Sequence, residues 1–120
     1  MNYLQEDLAT KRFGLKEDTI AQINSVFAQY PELEEAILYG SRAMGNYRNG
    51  SDIDITLIGD AFTYSQMLQM EVQIDDLLLP YLFDFSLFRH IDNSDLIEHV
   101  QRVGVIFYKR ESVQKRIHQD

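Results

Sequence analysis

The chain has 120 residues and a mass of 14.0 kDa, with 45% hydrophobic and 25% charged residues, which suits one modest core and argues against wholesale disorder. Nineteen acidic residues against eleven basic ones give a net charge of −8, the wrong sign for gripping a nucleic-acid backbone, so a template-directed polymerase is disfavoured and no direct nucleic-acid partner is expected. With no cysteine there is no disulfide scaffold or thiolate metal site, and with no long apolar run or signal-like start a cytoplasmic location, away from membranes, is expected.

In chain order, residues 1–14 carry scattered apolar positions (Tyr3, Leu4, Leu8, Phe13) and end at Gly14, which reads as a short helix or an arm. From Lys16 to Tyr30, Ile20, Ile23, Phe27 and Tyr30 recur at steps of three and four and predict a helix, opened by Glu17 and Asp18 and stopped by Pro31. Glu35 to Tyr39 is a short strand. Residues 41–50, with Gly45, Asn46, Asn49 and Gly50, fit a helical turn and a loop.

Ser51 to Ile58 alternates as a second strand. A helix is predicted from about Thr63 to Leu79, with Met67, Met70, Ile74, Leu77 and Leu78 on its buried side and Pro80 at its end. Leu82 to Phe88 is a third strand, interrupted by Asp84, whose carboxylate is costly in an apolar run unless paired or metal-bound. Asn93 or Ser94 caps a helix along Leu96, Ile97, Val100 and Val103, Gly104 ends it, and Val105 to Tyr108 forms a last strand. The tail from 109 to 120 is basic, with Lys109, Arg110, Lys115 and Arg116. His90, His99 and His118 show no metal-ligand spacing. Strands separated by helices predict an α/β (α+β) domain, a small mixed sheet with helices packed on it, with its core at about 15–108.

The chemistry concentrates between residues 37 and 55. An apolar run ends in Gly40-Ser41-Arg42, ten residues follow (42 to 51), and a second strand opens with Asp52-Ile53-Asp54. Side chains alternate in a strand, so Asp52 and Asp54 share a face about 7 Å apart, near enough to share a hard, oxygen-liganded Mg²⁺. Gly40 permits a tight turn, and the N–H groups of a helix starting at Ser41 are suited to phosphate. A phosphate cradle beside a carboxylate pair is the equipment for a nucleoside triphosphate and its magnesium. Separately, each part is more often an ordinary turn or a solvated strand end; together they predict a site.

Leu38-Tyr39-Gly40-Ser41-Arg42-Ala43 and Ser51-Asp52-Ile53-Asp54-Ile55, at this spacing, resemble the signature of the DNA polymerase β-like nucleotidyltransferases, and the short length resembles their minimal nucleotidyltransferase (MNT) group. The resemblance implies one such domain over 1–120, with Asp52, Asp54 and a later-strand Asp84 as catalytic and metal residues for one or two Mg²⁺ ions. It also implies Gly40, Ser41 and Arg42 as the ATP-binding segment and a HEPN-domain toxin as partner. The implied activity is that of an antitoxin, transferring AMP from ATP to a tyrosine hydroxyl of that toxin. The alternatives are an adenylyltransferase for a small molecule of the aminoglycoside type and a catalytically silent, partner-binding antitoxin. The family often has Gly-Ser-Arg-Ala-Arg-Gly; Met44 stands at the second arginine, and the roles of Arg42 and Arg48 toward the leaving group are not fixed by spacing.

Overall fold

The computed structural model describes residues 11–111. Its frame is a four-stranded mixed sheet. The strands are β3 (Glu35–Tyr39), β4 (Ile53–Ile58), β5 (Phe83–Leu87) and β6 (Val105–Lys109), in the order β5-β4-β3-β6. Before them stand a two-residue-per-strand hairpin of β1 (Lys11–Arg12) and β2 (Leu15–Lys16) and then helix α1 (Glu17–Phe27); between and after lie α2 (Ser41–Met44), α3 (Tyr64–Asp75) and α4 (Ser94–Val103). This is the α/β sheet with packed helices expected from the alternation of strand and helix patterns.

Strand β4 pairs antiparallel with β3 and parallel with β5. A parallel neighbour requires a crossover, and α3 provides it. The crossover helix is opened by a capping box: Thr63 accepts from the Gln66 N–H and the Gln66 side chain accepts from the Thr63 N–H. One face of the sheet (Leu38, Ile53, Ile55, Leu57, Phe85, Leu87) is buried with Ile20, Ile23 and Phe27 of α1 and Met67, Met70 and Ile74 of α3. Phe27 sits at the centre, edge-on to Phe85 and Phe107 with ring centroids 6.3 Å away in each case. The helical stripes seen in the sequence are therefore core, the methionines included. Against the opposite face, α4 lies over β3, with the His99 ring edge-on to Tyr39 at 6.2 Å. Its N-cap is Asn93, whose side chain accepts from the N–H groups of Asp95 and Leu96.

Several expectations need correction. Residues 11–14 are not part of a helix: they enter a hairpin whose turn residues, Phe13 and Gly14, have φ of 59° and 75°. Glycine suits such a turn as well as it suits a helix stop, and the sequence pattern does not separate the two. Residues 1–10 and 112–120, including Lys115 and Arg116 of the basic tail, lie outside the described residues. Lys109 belongs to β6, and Arg110 is tied to the Leu33 and Glu34 carbonyls. Helix α3 ends at Asp75, not Leu79, and Leu78, expected inside, is 87% exposed at φ 56°. Among the described residues no helix is long and apolar enough to cross a membrane.

Candidate functional site

The register of the sheet sets two of the three predicted carboxylates, Asp54 and Asp84, side by side. Tyr39 on β3 is paired with Asp54 on β4, and Asp54 with Asp84 on β5. Paired residues in a sheet present their side chains to the same face, so these three form a row across three strands on the face away from α1 and α3. Asp52 immediately precedes β4 and is exposed; Asp84 is exposed on the edge strand; Asp54 between them is half-buried. One row along, Thr56 is fully buried and accepts a hydrogen bond from the Ser86 hydroxyl at 2.9 Å. That cross-strand pair holds β4 and β5 in the register that sets Asp54 beside Asp84.

The electrostatics follow. Burial first, then the charges of Asp84 and Asp52, push the Asp54 carboxyl above its usual range, while His99 opposes the rise. The Tyr39 hydroxyl is pushed up by burial and by Asp84 and Asp54. Negative charge is thus gathered faster than positive charge, and an all-oxygen donor set of this kind fits a hard divalent cation. Among the described residues, no group of three His, Cys, Asp or Glu side chains stands ready as a metal cage. What the chain offers is an open row of carboxylates.

Gly40 sits against that row. Its φ of 78° and ψ of −157° lie in a region essentially reserved for glycine, and a Cβ there would stand 2.5 Å from Oδ2 of Asp54. Its carbonyl accepts the N–H groups of Ala43 and Met44. The amides ahead of these, on Ser41 and Arg42, are the ones a helix start leaves without intrahelical partners. The Gly-Ser bend therefore adjoins Asp54 on the same side of the sheet. Gly40→Ala is expected to cost about 1–3 kcal/mol in backbone strain and to displace the Asp54 carboxylate. Thermal unfolding and titration with Mg-AMP-PNP check it, and wild-type nucleotide affinity in a folded variant would break the link between bend and site.

Arg42 is placed otherwise than a free phosphate ligand. It is 2% exposed, donates from Nε to Ser51 O (3.0 Å), from Nη1 to Phe13 O (2.9 Å) and from Nη2 to Asn49 O (3.2 Å), and its guanidinium carbon lies over the Tyr47 and Tyr81 rings, 5.3 and 5.1 Å from their centroids. It thereby joins the bend to the hairpin and to the residue before Asp52. A Cβ on Gly14 would run into the Tyr47 ring at 2.4 Å, so the hairpin turn is fitted to the same cluster. Arg48 and Met44 are exposed, and the Arg48 N–H is capped by the Ser51 hydroxyl. Tyr39 and His99 escaped the sequence reading. Tyr39 looked like the last apolar residue of a strand, and His99 reaches the row only because α4 folds back over β3.

Residues 21–113 match the family model "Polymerase beta, Nucleotidyltransferase". The chain belongs to the polymerase β nucleotidyltransferase family. No curated protein matches it in sequence. Among solved structures that share the nucleotidyltransferase fold is a toxin–antitoxin crystal structure with AMP-PNP, at 21% identity and TM-score 0.60, covering 81% of this chain and 76% of that one. Another is the tri-AMPylated Shewanella oneidensis HEPN toxin in complex with MNT antitoxin, at 17% identity and TM-score 0.57, covering 86% and 77%. A third is the toxin–antitoxin MntA-HepT, at 17% identity and TM-score 0.57, covering 87% and 79%. These likenesses establish a common fold.

Proposed function

We propose that the chain is an MNT-type antitoxin, transferring AMP from ATP to a hydroxyl, most simply that of a tyrosine, on a HEPN-domain partner in the cytoplasm. The observation that carries the reading is the register that sets Asp54 beside Asp84, with Asp52 two residues away and the Gly40–Ser41 bend against Asp54. Two of the structures with this fold point the same way: one holds AMP-PNP, and another pairs an MNT antitoxin with an AMPylated HEPN toxin.

In this reading the amides at the bend face the outer phosphates, and Asp52 and Asp54, with Asp84 beside them, are the residues that would hold a divalent cation. Bound Mg²⁺, one ion or two, supplies neutralisation of the triphosphate and of the leaving pyrophosphate. Asp84, exposed at the sheet edge, is the carboxylate that an incoming hydroxyl meets first, and it accepts that hydroxyl's proton. The oxygen attacks the α-phosphate, its bond to the β-phosphate oxygen breaks, and pyrophosphate leaves. The chain contributes position and charge, which is most of what phosphoryl chemistry needs.

Incubation of the chain with α-labelled ATP, Mg²⁺ and its HEPN-domain partner is expected to place label on the partner, at tyrosine by mass spectrometry. A tight complex with no label would instead make the chain a silent binding antitoxin, and label on an added aminoglycoside alone would make it a small-molecule enzyme.

A further inference from the structure

One hollow in the surface of the described residues does not lie over the aspartates. About 490 Å³ in volume, it lies between α3 and β5, with Leu68, Val72, Tyr81, Leu82 and Phe83 in its wall. A second hollow of about 310 Å³ meets it at Glu71 and Phe85 and continues past Tyr64. Together they form a trough along β5, an edge strand with no neighbour on its outer side among the described residues.

The walls of this trough are unusual for a crossover helix. Met67, Met70 and Ile74 already bury one side of α3. Yet Tyr64, Leu68 and Val72 form a second apolar stripe at four-residue spacing, exposed by 54%, 44% and 60%, and Leu82 opposite is 74% exposed. Three such positions span about 12 Å of helix, two turns, and present a ridge of the kind that seats in the grooves of another helix. Contiguous exposed apolar surface with polar edges marks an interaction site.

The polar edge is acidic. Glu71 lines both hollows and Asp75 lines the larger. The Glu71 carboxyl is pushed up by burial, by Asp75 and by Asp84, which places the trough within electrostatic reach of the carboxylate row. A second copy of this chain is a poor occupant: at a net charge of −8, a symmetric contact would set this acidic edge against itself. A basic and apolar segment is complementary.

We propose that this trough docks the protein acceptor through an amphipathic helix, whose apolar side chains lie between the Tyr64–Leu68–Val72 stripe and Leu82 while lysine or arginine residues face Glu71 and Asp75. The proposal rests on the reading that the acceptor is a protein, and it adds where that protein sits. Docked there, the acceptor lies along the strand that carries Asp84, so its hydroxyl approaches from the sheet edge while the nucleotide occupies the bend beside Asp54.

The test compares the full wild-type chain with L68D/V72D and E71K/D75K, each co-expressed with the HEPN-domain partner. Both sites are on the surface, and circular dichroism with thermal unfolding establishes that the variants fold. Expected is a loss of at least about tenfold in complex formation and in label transfer for both variants, with Mg-AMP-PNP binding, measured by calorimetry on the chain alone, retained by L68D/V72D. Wild-type complex formation by either variant overturns the proposal, as does failure of the wild-type chain to bind the HEPN-domain partner. A wild-type dimer split by L68D/V72D would assign the trough to a second copy and overturn it too. A surface-dependent complex without label would leave the docking site standing and remove the transfer reading.

Discussion

Asp54→Asn is expected to lower AMP transfer by about 10²–10³-fold or more while leaving the protein folded and no less stable. The two halves of that result have one cause. Asp54 is the middle member of the carboxylate row, half-buried and pressed by Asp84 and Asp52, and its carboxyl is accordingly pushed up. An acid whose folded-state pKa is raised binds its proton more tightly in the folded than in the unfolded chain. It therefore lowers stability as pH rises from the ordinary carboxylate range, near pH 4, through the raised value, and the penalty is in full force above that value. The amide of Asn has no such term. Thermal unfolding of wild type should show this decline over that window, and Asp54→Asn should show a smaller one, the share from the raised Glu71 carboxyl remaining. Added Mg²⁺ should raise the wild-type midpoint and leave the variant's nearly unmoved. A variant that melts well below wild type at neutral pH, or that transfers AMP normally, would contradict the assignment.

Arg42→Ala is expected to have the largest effect on stability, roughly 3 kcal/mol or more, because it strands three carbonyl oxygens and removes a buried side chain that lies over two tyrosine rings. Arg42→Lys should recover little. One ammonium cannot fan out to Ser51, Asn49 and Phe13 at once as the planar guanidinium does. Urea unfolding measures the loss. Near-wild-type stability in Arg42→Lys would mean that charge alone, and not the fork, holds the bend to the hairpin.

These two residues also mark how far the sequence could be read. Asp52 and Asp54 declare themselves through strand alternation, and the Gly-Ser bend through an apolar run that stops abruptly. Most element types were likewise visible in periodicity, with ends shifted by a few residues, as at Asp75, where three further apolar residues suggested more helix. That Asp84 lies beside Asp54 followed from the resemblance and from the assumption that the two strands are neighbours, not from the local pattern, because it depends on β5 pairing parallel with β4. Arg42 looked like a phosphate ligand because burial of a guanidinium depends on carbonyls brought from residues 13, 49 and 51, one of them in a hairpin that the pattern rendered as helix or arm. His99 is remote in sequence from Tyr39, whose ring it meets edge-on. Local signals are written in neighbouring residues, whereas these features arise only when distant segments meet.

The parallel pairing of β4 and β5 has a temporal consequence. Asp54 and Asp84 are joined through the whole of the α3 crossover, so a growing polypeptide emerging from the ribosome carries the bend and the first two aspartates well before it can complete the row. A product ending before β5 would carry the Gly-Ser bend and the first two aspartates but lack Asp84 and both edge strands of the four-stranded sheet, so the row is completed only when the whole sheet has been made.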